Sequence, residues 1–446
     1  MIRLKYALMV VLGVTLLLGD GVFAADDSSL TKQPALIAGD RTLTLAECIA
    51  LALQNQASIR LAQATVLSQT GSLSTVHAGI LPLTRLSADT PLLGSNNNGH
   101  ISILVSSNQL IYDFGHTPQA VHAERQLRAA SLQNLSGAAE DVVLNVQQAY
   151  YTLLQDQHLV DVYRENLTDQ QAHLDETQAQ FAAGVIPHTN VLLAETSVAQ
   201  ARVAVVTGQN AAAQARLALA LAMGIDIRSP IKIVDATEPA APLPTEEDAM
   251  ALALARRPEM QRDRDQLAAA QATLKSALAG YWPTINATAG FSPDAGTAGA
   301  AQQQALTLAI DLQWPIFDQG VLRGAVQQAR AQIATATETL YNDQQIIENE
   351  VEQARLNIQA AEASLTYATT EVTSAQANLE AAEGSYKAGV GIFLTVIDAQ
   401  AALLQAQENE LAARYGLSMG RTMLEHAIGA DVPYGKEIVA HANTLK

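Results

Sequence analysis

The chain has 446 residues, with 26 basic and 44 acidic side chains, a formal net charge of -18, 49% hydrophobic residues and one Cys. That charge repels phosphate and excludes a nucleic-acid partner, and the apolar content excludes a disordered chain. The lone Cys48 excludes an internal disulfide framework and any CxxC redox or metal motif.

Arg3 and Lys5 precede an apolar run from Tyr6 to Leu18, and a small-residue site follows at Val22-Phe23-Ala24. This pattern predicts a cleavable export signal over residues 1–24. Its loss removes Arg3, Lys5 and Asp20, a net of +1, and takes the charge from -18 to -19. Downstream there is no uninterrupted apolar stretch long enough to cross a bilayer as a helix, so a membrane part has to be built of strands. Residues 25–43 form an N-terminal segment.

From residue 44 the chain is one unit written twice. Ala50-Leu51-Ala52-Leu53 recurs as Ala251-Leu252-Ala253-Leu254, and Ala78-Gly79-Ile80-Leu81-Pro82 as Ala279-Gly280-Tyr281-Trp282-Pro283, at an offset of 201. Ile111-Tyr112-Asp113 recurs as Ile316-Phe317-Asp318, Ala183-Gly184-Val185 as Ala388-Gly389-Val390, and Gly224 as Gly429, at an offset of 205. The repeats therefore run over 44–224 and 246–429, and their loops differ by four residues between 82 and 111. Residues 225–245 and 430–446, non-periodic and Pro-containing, are the linking segments.

Each repeat reads as helix, hairpin, long helix, helix. In the first, the helix runs over 45–79, the hairpin over about 83–112, the long helix over 117–183 and the last helix over 189–223. In the second, the spans are 246–280, about 284–316, 320–388 and 394–428. Val146, Leu153, Val160, Leu167, Leu174 and Phe181 are spaced by sevens, and their twins are Val351, Ile358, Leu365, Val372, Leu379 and Tyr386. A sustained period of seven predicts left-handed supercoiling against neighbouring helices. The companions Tyr150, Gln157, Arg164, Gln171 and Gln178 are mostly polar, so the stripe is thin and much of each helix is wet.

Leu306, Leu308, Ile310, Leu312 and Trp314 alternate with Thr307, Ala309, Asp311 and Gln313, which predicts a strand, and 284–291 alternates more softly. The hairpin tips fall at Gly94–Gly99 and at 293–304. Tyr281, Trp282, Trp314 and Phe317 cluster where strand meets helix, as an interfacial aromatic belt requires. Four strands cannot close a barrel, and open edges are forbidden in lipid, so several copies have to share one.

The TLAECIALALQN opening at residue 44, the AGxxP steps at Gly79 and Gly280, IFDQG at 316 and YKAGVGIFLTVIDAQ at 386 together resemble the TolC family of outer-membrane efflux proteins. The resemblance covers nearly all of the mature chain. It implies an α+β membrane protein and a homotrimer in the outer membrane of a Gram-negative bacterium. In it, four transmembrane strands per chain build a shared 12-stranded β-barrel in outer-membrane lipid, continued by a long periplasmic α-helical coiled-coil barrel. It also implies a mixed belt formed by 225–245 and 430–446. The expected role is the exit duct of a tripartite efflux or type I secretion system, docked to a periplasmic adaptor and an inner-membrane transporter.

The resemblance places a periplasmic gate at the turns Phe181 to Asn190 and Tyr386 to Thr395. Tyr386 matches a tyrosine that links neighbouring helices in closed members, with Thr189 and Asn190 at the partner positions. Gly184 and Gly389 fit gate parts and plain helix caps equally. Asn190 replaces an acidic acceptor and Gly391 a basic residue, which removes charged links. Asp398 matches one of two acidic ring positions, the other being Thr395 here. His188 reads as a surface histidine and Cys48 as a small buried hydrophobe. With no HExxH, P-loop, GxSxG or complete GxGxxG, no catalytic, cofactor or metal site is expected. The alternative reading is a soluble periplasmic coiled-coil scaffold or adaptor.

Overall fold

A computed structural model describes residues 42–89, 102–235, 243–292 and 305–429. The expected export signal, both hairpin tips and the closing segment 430–446 lie outside the described residues.

The first repeat opens with β1 (Thr42–Leu43), α1 (Leu45–Asn55) and α2 (Ala57–Ala78), passes through strands β2 (Leu83–Asp89) and β3 (Ser102–Tyr112), and continues into α3 (His116–Ala182) and α4 (His188–Ala222). After β4 (Lys232–Ile233), which pairs in parallel with β1, the second repeat supplies α5 (Glu246–Arg256), α6 (Pro258–Ala279), β5 (Thr284–Ser292), β6 (Ala305–Gln313), α7 (Val321–Lys387) and α8 (Phe393–Ala427). Both α3 and α7 have 67 residues, a length of about 100 Å at 1.5 Å per residue.

The structure departs from the sequence reading in the first helix of each repeat. The single helices expected over 45–79 and 246–280 are each broken, at Gln56 and at Arg257, where the backbone turns extended. In the second repeat Pro258 starts a new helix, because it has no N–H to continue the old one. In the first no proline is present, and side-chain bonds hold the break instead. Gln56 accepts from its neighbour's N–H at Ala57, while its amide donates to the carbonyls of Leu221 and Ala222 at the end of α4. Arg257 does the same in the second repeat, donating to the carbonyl of His426 in α8 at 3.2 Å. Each break is thus the joint at which two shorter helices stack end to end, the side chain satisfying carbonyls that a helix C-terminus leaves free.

The joints differ in chemistry. Buried Arg257 also reaches Glu259 (3.1 Å) and Glu350 (2.9 Å), and His426 Nε2 stands 3.3 Å from Asp141 on α3. Asp141, Asn145 and Leu221 show what the duplication altered: the twins of Glu350 and His426 are Asn145 and Leu221, and that of Asp141 is Ile346.

The passage from strand to long helix is built identically in both halves. Asp113 accepts from the N–H groups of Gly115 (3.1 Å) and Thr117 (2.6 Å), and Asp318 accepts from those of Gly320 (3.1 Å) and Leu322 (2.6 Å). A carboxylate here meets free N–H groups and the positive end of the helix dipole.

The helices form one layer. The stacked pair α2/α4 packs on α3, α3 packs on α6/α8, and α6/α8 packs on α7. The four-stranded antiparallel sheet has the order β2-β3-β5-β6, so strands and helices follow the same sequence of neighbours. Both layers end in open edges, β2 with α2/α4 on one side and β6 with α7 on the other. Along the seven-residue stripe Val146, Leu153 and Val160 are buried, as are Val351 and Ile358, while Leu167, Leu174, Leu365, Val372 and Leu379 are half-buried. Packing therefore loosens toward the far turns. Cys48 is fully buried in the core of the first repeat, and burial, then the charge of Glu47, push its thiol up to about 12.

Candidate functional site: membrane sheet and periplasmic turns

One face of the sheet carries Leu306, Leu308, Ile310 and Leu312, and the ladder sets Ile285, Ala287, Ala289 and Phe291 beside them. Leu308 and Ile310 are 75% and 77% exposed. A row of largely exposed leucines and isoleucine on a strand fits no aqueous surface and matches the lipid face of a membrane barrel. The opposite face is mixed: Arg85, Asn108, Asn286 and Asp311 share it with Leu83, Leu104 and Leu110, and Asp311 accepts from Thr288 Oγ1 at 2.9 Å.

The expected aromatics stand at the strand–helix step. Tyr281, Trp282, Trp314 and Phe317 are all exposed, and Trp314 Nε1 donates to the Tyr281 carbonyl at 3.1 Å. Two more rings join them that the sequence reading omits. Phe114 stacks on Trp282 at 5.4 Å and meets Tyr112 edge-on at 4.8 Å. Phe114 has a positive φ of 55°, as does its twin Gln319 at 57°. Such a backbone state in a non-glycine aromatic leaves no trace in periodicity.

At the far end the chain turns back twice. Gly184 (φ 73°) and Gly389 (φ 75°) occupy the left-handed position that closes α3 and α7. Val185 N–H bonds the Gln180 carbonyl and Val390 N–H the Ser385 carbonyl, a glycine cap in both cases. Between the turns, the hydroxyl of Tyr386 donates to Gln180 Oε1 at 2.9 Å. Gln180 is held for this by its own amide, which donates to Glu176 at 3.0 Å. The acceptor of the Tyr386 hydroxyl is thus Gln180 on α3, which the sequence reading did not name, beside the expected partner Asn190. Thr189 is exposed, and Asn190 acts on the phenol as a secondary hydrogen-bond partner. Burial and the charge of Glu176 raise the Tyr386 pKa, and Asn190 opposes them. The ring of Tyr386 also lies 5.5 Å from that of Phe393.

Two further contacts tie α3 to the α7/α8 hairpin above the turns. Gln170 donates to Gln400 at 2.9 Å in a buried amide pair, and His173 faces Glu383 at 3.8 Å. Asp398 and Thr395 stay out of this cluster among the described residues. Both are exposed on α8, and Thr395 Oγ1 bonds the Ile392 carbonyl. His188 is exposed, 5.0 Å from the ring of Phe181.

This doubled architecture has a counterpart among known proteins. The family profile described as outer membrane efflux protein matches residues 48–225 and 249–430. The chain belongs to the outer membrane efflux protein family. It is accordingly an outer-membrane protein with a large periplasmic helical part. The toluene efflux pump outer membrane protein TtgC of Pseudomonas putida is 28% identical over 298 residues, which is 65% of this chain and 60% of that relative. The chain therefore spans less than two thirds of that relative. The pyoverdine export outer membrane protein OpmQ of Pseudomonas aeruginosa is 24% identical over 417 residues, 91% of this chain and 86% of that one. The Campylobacter jejuni CmeC outer membrane channel superposes with a TM-score of 0.79 at 16% identity, covering 96% of this chain and 98% of that one.

Within this efflux family member, Gly391 acquires a steric reason. A Cβ there would lie 3.1 Å from the backbone carbonyl carbon of Ser385, from its Cβ and from Tyr386 N. A side chain at this position, such as the basic one that the resemblance places here, needs the turn to give by a few tenths of an ångström. Among the described residues one helix, α4, is long and apolar enough by composition to cross a membrane. Some of its apolar residues, such as Val191 and Val198, are buried, and others, such as Val203 and Leu221, are exposed.

Proposed function

We propose that three copies of this chain close into one channel, four strands from each giving a 12-stranded barrel in the outer membrane and the helices a tunnel across the periplasm. The channel is a passive exit duct for substrates delivered by an inner-membrane transporter through a periplasmic adaptor. The observation that carries this reading is the four-stranded sheet with an exposed apolar face and two unpaired edges. Unpaired backbone groups are not tolerated in hydrocarbon, and ring closure by further copies satisfies them. The alternative, a soluble periplasmic scaffold or adaptor, would leave that apolar face in water.

In this reading the turns around Tyr386, Gln180, Gly184, Thr189, Asn190 and Gly389 close the periplasmic end. Thr395 and Asp398 line the entrance, and Tyr281, Trp282, Trp314 and Phe317 mark the periplasmic border of the membrane. Purified protein in detergent should have the mass of three chains and give discrete conductance steps in a planar bilayer. A monodisperse monomer, or protein recovered in the soluble periplasmic fraction, would overturn the proposal.

A further inference from the structure

We propose that the inner face of the first hairpin, where Leu83, Arg85, Leu104 and Leu110 stand together, is a contact site for amphipathic organic anions leaving through the barrel. Such a molecule has an apolar body and one carboxylate or sulfonate. The proposal rests on the channel reading and adds to it a class of cargo.

Every second residue of a strand shares a face. Leu83 and Arg85 on β2 therefore stand with Leu104, Ser106, Asn108 and Leu110 on β3, the ladder pairing Leu83 with Asn108 and Arg85 with Ser106. This face lies opposite the one that carries Leu308 and Ile310, so in the channel it lines the lumen. Water-filled barrels have polar interiors, and the second hairpin obeys that rule. The offsets of 201 and 205 carry Leu83 to Thr284, Arg85 to Asn286, Leu104 to Ala309 and Leu110 to Pro315. The ladders confirm them, since Leu86 pairs with Val105 and their twins Ala287 and Ile310 pair with each other. At matched positions one hairpin thus holds three leucines and a cation, and the other none of these. Leu83 is 52% and Leu104 40% exposed, apolar surface that nothing within the chain covers.

The four side chains border a concavity of about 820 Å³ at the step from α2 into β2, with Asn108 and Gly290 also in its wall. Sites for small organic molecules have volumes of about 300–1,000 Å³. Gly290 keeps the floor beside Leu104 open, since a Cβ there would already touch Leu104 Cδ1 at 3.8 Å. The charge is one-sided as well. Arg85 is exposed and makes no hydrogen bond or ion pair among the described residues. Asp311 on the same face stands three strand spacings away, at least about 14 Å, and is engaged with Thr288. A guanidinium is weakly hydrated and offers paired donors that match a carboxylate or a sulfonate. Flanked by leucines, it can hold the charged group while the apolar body lies on the leucines. A cation with the same body is repelled, and a small anion gains the charge contact alone.

The test uses the full-length protein in a planar bilayer. Naphthalenesulfonate is the amphipathic anion, methanesulfonate the bare anion and naphthylmethylammonium the cation of the same body. Naphthalenesulfonate should block the open-channel current at concentrations about tenfold below those of the other two. Arg85→Asn, and Leu83→Thr combined with Leu104→Ala, copy the second hairpin, so both variants should insert as the parent does. Each should raise the half-blocking concentration of naphthalenesulfonate about fivefold. Equal block by all three compounds, or unchanged block in Arg85→Asn, would overturn the site and leave the channel standing. Block that is weakened in Arg85→Asn and unchanged in the leucine variant would overturn the amphipathic reading. A parent protein with the mass of one chain, or without conductance steps, would overturn the channel reading and the site together.

Discussion

Replacing Tyr386 with Phe removes the hydroxyl that reaches Gln180 at 2.9 Å and keeps the ring that packs 5.5 Å from Phe393. A neutral hydrogen bond of this kind contributes about 0.5–1.5 kcal/mol. Gln180 is half-exposed and keeps its bond to Glu176, so its freed oxygen reaches water and the low end applies. If three copies open together, roughly 0.5 kcal/mol each sums to about 1.5 kcal/mol, close to a tenfold rise in the ratio of open to closed channel. Tyr386→Ala also loses the ring contact, worth about 0.5–1.5 kcal/mol per copy, and should open the channel further. Open probability in planar bilayers reads both. A double-mutant cycle with Gln180→Leu should show coupling between the two positions. Equal open probability in the parent and both tyrosine variants, or no coupling, would refute the assignment of this bond to closure.

Gly391→Ala should raise the leak of the closed channel, because its Cβ would press on Ser385 and Tyr386 at 3.1 Å and displace the turn; unchanged conductance would show that the turn yields freely. Asp398→Ala should weaken block by multivalent cations if three copies bring that carboxylate together, since clustered carboxylates favour a bound cation; bilayer block curves decide it. Leu308→Arg should cost roughly 2–4 kcal/mol on a lipid-facing strand and deplete the protein from outer-membrane fractions, whereas Thr307→Arg on the opposite face should be tolerated. Burial, then the charge of Arg257, push the His426 pKa below the ordinary histidine value of 6.5. The folded chain therefore holds the ring neutral while the unfolded chain takes up a proton, so stability falls as pH drops below 6.5. His426→Leu, which copies Leu221, should lose less melting temperature than the parent between about pH 7.5 and about pH 5.

The duplication and the seven-residue period made the long helices legible, because a constant offset and a buried stripe are both properties of the sequence itself. The strands were legible through alternation, most clearly at Leu306 to Trp314. The breaks at Gln56 and Arg257 were not. Gln56 is a good helix former in the middle of an apolar pattern, and it takes an extended backbone because its amide binds carbonyls 165 and 166 residues away. Gln180 escaped notice for a similar reason: nothing local distinguishes it from Gln171 or Gln178, and only the fold brings Tyr386 to it. Phe114 was hidden by its left-handed backbone in the short step between the expected hairpin and long helix, which carries no periodic pattern.

The order of neighbours within the layer bears on how the chain folds. In the first repeat, β3 finds one partner in β2 and the other in β5, while α3 is flanked by α2/α4 on one side and α6/α8 on the other. The bond between Gln170 and Gln400 spans 230 positions of the chain. Half of the lateral cover of the first repeat is thus supplied by sequence not yet present when that repeat emerges. Contacts so distant along the chain are reached slowly, because the loop they close is long. A first repeat formed ahead of the second would bare the side of α3 that α6 and α8 cover, and bare apolar surface of that kind associates wrongly when it lingers. The molecule is double in its sequence and single in its folding.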